Sequence, residues 1–288
     1  MIGASLRIMP RLSPALREIL TLDPVRDHQR IAFLTCRCDF PFDTTRALEF
    51  ALFRTFCVPS IGALLDRTGE FGQQTQKRYD DTDLIISEIM ERGYDSDRGA
   101  RAIARMNSIH GRFKISNPDF LYVLSTFAFE PIRWLQRFGW RPLHPAEPVA
   151  LFHFWREVGT RMQITNIPAS GEEFERFNRD YEATHFRPNP GSQRVAAATT
   201  RMFAGWAGPL RGLVPPIIAA LMDDPLRRAL ELPEPAPGLR PTVARILRVR
   251  GHLGQLLSPK SRPNFRTTCP HRSYPRGYEI ETLGPPEP

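Results

Sequence analysis

The spacing of apolar residues constrains the fold of this chain most, because they recur three and four positions apart along most of its length. That spacing places apolar side chains on one face of an α-helix. Only residues 31–35 form a weak candidate for a strand, and the chain has no internal repeat. The sequence therefore predicts an all-α fold. The predicted helices cover residues 13–20, 42–57, 59–65, 68–90, 96–110, 119–138, 145–162 and 170–185.

Residues suited to helix ends flank several of these segments. Ser96 or Asp97 is predicted to cap the segment that follows it, and Ser170 opens a capping-box pattern. Asp43 is the predicted N-cap of its segment. Gly93 is expected to end the long helix that begins at residue 68.

Length and charge set the domain organisation. The chain has 288 residues and is 41% hydrophobic, which is enough for a substantial core in one large domain. Its net charge of +8 is uneven, because residues 236–278 contain nine Lys or Arg residues and no Asp or Glu. We predict a helical catalytic domain at residues 1–231. Residues 232–288 are predicted to form a proline-rich connector, a basic amphipathic helix at 241–257 and an extended, loosely ordered tail.

The basic amphipathic helix allows two interpretations. Its apolar face and its arginines could rest on an anionic membrane surface. Alternatively, the apolar face could pack against the domain and leave the arginines in solvent. Both arrangements need the same amphipathic pattern, so both stay open here. Nucleic-acid binding is not expected, since the basic residues match no known motif and lack regular aromatic interleaving.

The cysteine content and hydropathy suggest a compartment. The chain has four cysteines, too few and too irregular for a secreted disulfide scaffold. No signal peptide or transmembrane helix is evident. The longest charge-free apolar run near the C-terminus covers only residues 212–222 and contains two prolines, whereas a spanning helix needs about 20 residues. We expect a cytoplasmic protein, with peripheral attachment to a membrane left open.

Two sets of polar residues lie within apolar helical segments. Arg78, Asp81 and Thr82 are spaced at i, i+3 and i+4, so they share one helix face. His110 ends the apolar stripe of the next predicted helix. From spacing alone, the first set is a solvated face with an internal Arg–Asp pair, and the histidine is more often a hydrogen-bonded core residue than a ligand. Neutral imidazole is nonetheless a standard haem ligand.

Short motifs spread over nearly the whole chain carry a family resemblance. In chain order they are RALEFALFRT (46–55), TGEF (68–71), RxxxT (78–82), RMNSIHGRFKISN (105–117), EPIRW (130–134), FGWR (138–141), WREVG (155–159), IP (167–168) and HRSYP (271–275). Each motif is weak alone, but their order and spacing resemble those of the MpaB/rubber oxygenase family. That family includes an enzyme that cleaves a farnesyl chain and the latex clearing proteins, which cleave polyisoprene.

This resemblance implies a single globular multi-helix domain that encloses a buried haem b pocket. His110 matches the family's proximal histidine and would bind the haem iron. Arg78 and Thr82 match polar positions on the distal side, where they would contact the cofactor and take part in catalysis.

Two positions depart from other members of the family. Where the latex clearing proteins have a lysine able to cap the iron, this chain has Asp81. A carboxylate would not cap the iron as a lysine does, so the resemblance leaves three alternatives: a distal site that is open or occupied by water, an Asp81 paired with Arg78, or an Asp81 that acts as a catalytic base near an allylic carbon of the substrate. Where some bacterial members carry a further histidine, this chain has Leu124. The second departure favours the MpaB-type branch.

The expected function follows from the resemblance. It implies an oxygenase that uses haem b and dioxygen to attack or cleave a carbon–carbon double bond in a lipophilic, isoprenoid-like molecule. Arg78 would stabilise negative charge on oxygen, Thr82 would orient it, and the helix at residues 119–138 would line an apolar slot. Two non-enzymatic alternatives are a haem-binding sensor or storage protein and a basic helical module at a membrane surface.

Overall fold

A computed structural model of the chain describes residues 12–256 and 263–285. The regular secondary structure of these residues is helical throughout, which confirms the predicted all-α class. The α-helices are α1 (Pro14–Ile19), α2 (His28–Phe33), α3 (Pro41–Phe56), α4 (Pro59–Arg67), α5 (Glu70–Gln73), α6 (Thr75–Arg92), α7 (Asp97–His110), α8 (Asn117–Phe138), α9 (Ala146–Arg161), α10 (Gly171–His185), α11 (Pro190–Trp206), α12 (Val214–Leu221), α13 (Asp224–Ala229) and α14 (Leu239–Leu256).

Shorter helical turns join some of these helices. A π-helical turn, Leu34–Asp39, leads from α2 into α3. Three 3-10 turns follow later in the chain, at Gly208–Leu213, Arg266–Thr268 and Ile280–Thr282.

Several predicted helix ends are confirmed. The Ser96 hydroxyl accepts a hydrogen bond from the Gly99 amide at 3.0 Å and caps α7. Ser170 caps α10 in the same way. Gly93 ends α6 with a φ of +83°, a conformation that glycine adopts without strain. Local sequence therefore determines these boundaries.

Three local predictions are wrong. Residues 31–35 are helical, and their apolar run reflects burial: Ile31 and Thr35 are both fully buried. Asp43 does not cap α3, which begins after Phe40; its carboxylate instead accepts a hydrogen bond from Trp134 Nε1 at 3.1 Å. The third concerns the long helix predicted from residue 68.

That predicted helix is interrupted. Gly69 is left-handed, with a φ of +73°, and the short α5 follows it. Gln74 then leaves the helical region, with φ −133° and ψ 41°, so α6 begins only at Thr75. The apolar spacing continues across the break, which is why periodicity alone did not detect it. The break sets the direction of α6, which carries Arg78.

The core is organised around α8, which packs against α3, α9 and α10. One cluster of buried side chains joins the four helices α6 to α9, with Leu84, Ala102, Phe127 and Trp155 among its members. Full burial of one such large apolar side chain stabilises the fold by about 1.5–3 kcal/mol. The same cluster holds α6 and α7 beside each other and so positions the candidate site.

The basic C-terminal region does not stand apart from the domain. Helix α14 packs against α8 and α12, with Val243 buried. Residues 263–285 lie along α6 and α7 and form many hydrogen bonds with them, so the expectation of loose order is wrong for these residues. Residue 257, the predicted end of the basic helix, lies outside the described residues. The division at residue 231 stays a prediction.

No individual helix in the described part of the chain combines the length and hydropathy that crossing a membrane requires. Among the described helices, one pair, α3 and α4, meets that criterion when taken together, and the two are bent by 97° relative to each other. Phe53 and Phe56 on α3 are buried in the core of the domain.

Candidate active site

His110 is the last residue of α7, and packing of that helix fixes its position. Ala102, Ile103 and Met106 form the buried face of α7. The ring of Phe120, near the start of α8, lies edge-on to the His110 imidazole with 5.3 Å between ring centres. The imidazole is therefore held between the end of one helix and the start of the next.

The His110 imidazole makes no hydrogen bond to any described residue, and its Nδ1 atom is buried without a partner. Buried polar atoms in proteins are nearly always hydrogen-bonded, so such an atom calls for an explanation. Burial, together with the nearby positive charge of Arg78, lowers the pKa of His110 to about 4. The imidazole is consequently neutral at pH 7, which is the form that binds metals.

Arg78 and Thr82 lie one turn apart on α6 and are hydrogen-bonded to each other. The Thr82 hydroxyl accepts a hydrogen bond from the Arg78 guanidinium and donates one to the Arg78 carbonyl oxygen at 3.0 Å. The guanidinium also lies over the Phe71 ring, 5.5 Å from its centre. No described carboxylate forms a salt bridge with Arg78. Burial lowers the pKa of Arg78, although the charges of Asp81 and Glu70 oppose this effect.

The structure thus brings three of the four predicted site residues together. Arg78 and Thr82 are in direct contact, and the charge of Arg78 reaches His110. A cation that forms no salt bridge with a described carboxylate can stabilise negative charge as it develops on a reacting group. This is the main chemical property of the candidate site.

Asp81 has other partners. Its buried carboxylate accepts a hydrogen bond from Lys77 at 2.8 Å and another from the Tyr274 hydroxyl. Arg78 influences it through charge alone and does not form the direct pair that the sequence suggested. Lys77 in turn donates to the Gly284 carbonyl at 2.7 Å. Asp81 therefore links the helix that carries Arg78 to the C-terminal segment.

This link is one of a series. The carboxylates of α6 bind the C-terminal segment (residues 263–285) at several points along the helix. Asp80 accepts from the Ser273 amide at 2.8 Å, and Glu91 accepts from the Arg266 amide at 2.7 Å. Between these points, Asp83 contacts His271 and Arg266, and Glu88 contacts Tyr278.

The pKa of Asp83 shows the effect of these contacts on one of the carboxylates. Burial alone would raise its pKa, but the hydrogen bond from His271 and the charge of Arg266 outweigh burial and lower it. A charged carboxylate on α6 therefore meets a cationic side chain of the C-terminal segment. The segment is fixed to α6 by charge-assisted hydrogen bonds, which are stronger than neutral ones.

Sequence reasoning did not select Glu70 and Tyr274 as site residues. Glu70 opens α5, and its charge acts on Arg78. Tyr274 contacts Asp81. Both lie within motifs that carried the family resemblance, TGEF and HRSYP. Their place in these motifs is the one feature of the sequence that could have identified them as site residues. Their partners depend on the tertiary fold and not on local spacing.

Leu124 occupies the position where some bacterial relatives have a further histidine. Its side chain is buried and fills the space beside Gly159, where an added Cβ would lie 2.3 Å from Leu124 Cδ2. Leu124 therefore contributes to packing between α8 and α9.

The candidate site is identified from the chemistry of its side chains, and the cleft described next lies elsewhere. A cleft of about 540 Å³ is lined by Gln73, Lys77, Met202 and Ser273 among others, but not by Arg78 or His110. Within the described residues, no group of three or more His, Cys, Asp or Glu side chains is placed to hold a metal ion. A haem needs no such group, because its macrocycle supplies four nitrogen ligands and the protein adds an axial one.

Together these features define an all-helical protein whose candidate active site combines a neutral histidine with an arginine that forms no salt bridge to a described carboxylate. A sequence model described as "ER-bound oxygenase mpaB/B'/Rubber oxygenase, catalytic domain" matches residues 48–253, and the chain belongs to this family. The resemblance predicted from the motifs is thereby confirmed.

Three curated relatives are similar to this chain. ER-bound oxygenase mpaB' of Penicillium brevicompactum is 32% identical over 240 residues, which cover 77% of this chain and 57% of the relative. ER-bound oxygenase mpaB of Penicillium roqueforti (strain FM164) is 32% identical over 215 residues, covering 68% and 72% respectively. ER-bound oxygenase mpaB of Penicillium brevicompactum is 35% identical over 182 residues, covering 57% and 46%. The matches thus span from about half to nearly three quarters of the relatives' length.

Proposed function

We propose that this chain is a haem b-dependent oxygenase that uses dioxygen to cleave a carbon–carbon double bond in a lipophilic, isoprenoid-like substrate. The observation that carries the proposal is His110, whose neutral imidazole lacks a hydrogen-bond partner and lies within reach of the Arg78 charge. Membership of a family named for its oxygenases supports the reaction class. In such a cleavage, the two atoms of dioxygen become the oxygens of two carbonyl groups.

The residues present fit a haem. His110 would supply a neutral imidazole ligand for the haem iron, and the ring of Phe120 gives this imidazole an apolar neighbour. In this proposal His110 holds the iron, while Arg78 and Thr82 face the cofactor from α6. Haem, when bound, supplies an iron centre that activates dioxygen.

Arg78 and Thr82 act on the reacting oxygen in this proposal. No carboxylate in the described part of the chain forms a salt bridge with the Arg78 guanidinium, so its charge is available to stabilise negative charge as it develops on oxygen. The Thr82 hydroxyl holds that guanidinium in place and can also orient the oxygen. Since both groups lie on one rigid helix, little reorganisation is needed during the reaction.

Asp81 and Glu70 are candidates for proton transfer, and their surroundings differ. The Asp81 carboxylate is bound to Lys77 and Tyr274. These contacts favour a positioning role for Asp81, in which it fixes α6 to the C-terminal segment. Glu70 makes no hydrogen bond to any described side chain, and its charge reaches Arg78. In this proposal Glu70 is the carboxylate free to accept a proton from an allylic carbon and to return it before the two carbonyl products leave.

The substrate and the location are proposed on chemical grounds. The helix α8 places Phe120 against His110 near its start and is rich in apolar side chains along its length, so in this proposal it would line the slot for an isoprenoid chain. Lipophilic substrates of this kind dissolve in membranes. We therefore propose a cytoplasmic protein that works at a membrane surface, in keeping with relatives that are named as ER-bound.

The test is substrate-dependent oxygen consumption by the haem-loaded protein. Farnesyl-bearing compounds, short polyisoprenes and unsaturated lipids are each compared with their saturated analogues. We expect oxygen uptake and two carbonyl fragments, detected by mass spectrometry, with an unsaturated compound only. His110→Ala should abolish both signals, while His252→Ala, a control at an exposed histidine on α14, should leave them unchanged.

Other outcomes would assign a different function. If the protein shows a haem spectrum but takes up no oxygen with any alkene, it is a haem-binding sensor or storage protein and not an oxygenase. The absence of any haem spectrum would leave a basic helical module without a cofactor.

A further inference from the structure

One face of helix α14 packs against the domain, and its charged side chains have partners. Val243 is buried on this face, and an added Cβ on Gly251 would lie 3.0 Å from the Phe138 carbonyl oxygen. Arg240 forms an ion pair with Asp224 at 2.7 Å, and Arg250 forms one with Asp43. This face therefore fixes α14 to the domain through close packing and paired charges.

The opposite face of α14 carries exposed apolar side chains, which is unusual for a helix packed on a protein surface. Ile246, Val249 and Leu253 are 62%, 47% and 55% exposed. They are spaced at i, i+3 and i+7, so they form a continuous apolar stripe that points away from the domain. The outer face of a docked helix normally carries polar residues, so the packing of α14 on the domain does not explain this stripe.

The charges beside the stripe differ from those on the inner face. Arg245 and Arg248 are exposed, and neither forms an ion pair with a described residue. The inner arginines of the same helix, Arg240 and Arg250, both have carboxylate partners. The outer face thus combines free positive charge with exposed apolar surface.

An exposed aromatic residue also lies next to α14, beside its inner face. Phe42, at the start of α3, is 47% exposed. The Arg250 guanidinium lies over its ring, 4.4 Å from the ring centre. An exposed ring next to a helix that carries exposed apolar residues and arginines has the composition of an interfacial membrane-binding surface.

We propose that the outer face of α14, formed by Arg245, Ile246, Arg248, Val249 and Leu253, binds the surface of an anionic lipid membrane. The apolar stripe would enter the boundary between headgroups and acyl chains, and the two free arginines would contact anionic headgroups. This deepens and rests on the membrane location proposed above. It requires neither haem nor turnover, so its failure would be distinguishable from failure of the oxygenase proposal.

A second copy of this chain fits the same face less well. A pair of α14 helices packed stripe to stripe would bring Arg245 and Arg248 of both copies close together, and no acidic residue lies between residues 236 and 278 to compensate. Like charges at such an interface are unfavourable. Charge complementarity therefore favours the anionic membrane.

The experiment measures co-sedimentation of the full chain, without haem, with vesicles of phosphatidylcholine alone or with added phosphatidylserine. We expect binding to the mixed vesicles, with at least tenfold weaker binding to phosphatidylcholine alone. Leu253→Glu should reduce binding at least tenfold. Arg248→Ala should reduce it by about fivefold, the effect of one cationic charge near an anionic surface.

Matched controls separate the α14 face from general effects. Val149→Glu changes an exposed apolar residue on α9, and Arg176→Ala removes an exposed arginine on α10. Both controls should bind vesicles as the wild type does. All variants should keep the helical circular dichroism signal and melting temperature of the wild type, because the changed side chains are exposed.

Three results would overturn the proposal. The first is wild-type binding that is absent or insensitive to phosphatidylserine. The second is equal loss of binding in the controls and in the α14 variants. The third is a dimer, seen by sedimentation velocity without vesicles, that Leu253→Glu dissociates; that result would assign the face to a second copy of the chain.

Discussion

His110 is the residue on which the proposed chemistry of the site depends. Spacing alone gave no reason to distinguish it from a hydrogen-bonded core histidine, and the family resemblance raised it to an iron ligand. The structure adds an independent physical reason, because the buried Nδ1 atom has no partner and the imidazole is neutral.

The lowered pKa of His110 predicts how stability depends on pH. The pKa is about 4 in the folded state and 6.5 in the unfolded chain. Between these values the unfolded chain binds more protons, so the free energy of unfolding falls as pH is lowered from 6.5 towards 4. Urea unfolding of the haem-free protein across this range should show a steeper loss for the wild type than for His110→Gln. If the free energy of unfolding changed with pH equally in the wild type and in His110→Gln, the lowered pKa of His110 would be contradicted.

The free charge of Arg78 predicts an effect on catalysis. Arg78→Gln should lower kcat for oxygen uptake by about 10²–10³, the usual effect of removing one group that stabilises a developing oxyanion. The haem spectrum should still show axial ligation by His110. The control is Arg67→Gln, at an exposed arginine of α4. If kcat fell equally in both variants, or in neither, Arg78 would have no specific role in the reaction.

At the scale of single elements, α6 is defined by its contacts with the C-terminal segment. The helix itself could be predicted from its apolar spacing and from Gly93, although its start could not, because the spacing continues through the break at Gln74. The contacts between α6 and residues 263–285 join positions almost two hundred residues apart. Local sequence patterns carry no information about such pairs.

The hydrogen bond between Tyr274 and Asp81 predicts that the C-terminal segment positions the site. Tyr274→Phe should shift the visible spectrum of the haem-loaded protein and lower oxygen uptake, because α6 loses its anchor one turn from Arg78. The control is Tyr278→Phe, which removes the contact with Glu88 two turns further along α6. Both variants should expose the segment to limited proteolysis of the haem-free protein. If the visible spectrum changed equally in both variants, or in neither, Tyr274 would have no specific role in positioning the site.

The packing of α7 predicts a marked cost for one small substitution. An added Cβ on Gly99 would lie 1.9 Å from the Gly93 carbonyl oxygen, and this backbone atom cannot move without shifting α7. Gly99→Ala should therefore lower the free energy of unfolding by about 1–3 kcal/mol, as overpacking usually does. The control is Gly205→Ala on α11, where no atom lies within 4 Å of the added Cβ. It should be neutral or slightly stabilising in urea unfolding.

At the scale of the whole molecule, the all-α class and the family followed from sequence, while the arrangement of the site did not. The predicted pair of Arg78 and Asp81 shows the reason. Spacing correctly placed both on one face of a helix, but the competing partners, Lys77 and Tyr274, decide where the carboxylate points. The C-terminal region likewise looked separable in sequence and is packed against the domain in the structure.

The most direct test of the central claim, that His110 binds a haem iron, is the visible absorption spectrum of the purified protein after haem supplementation. The account predicts a Soret band in the wild type, the same band in His252→Ala, and its loss or displacement in His110→Ala. A wild type without a Soret band, or a His110→Ala spectrum identical to that of the wild type, would contradict it.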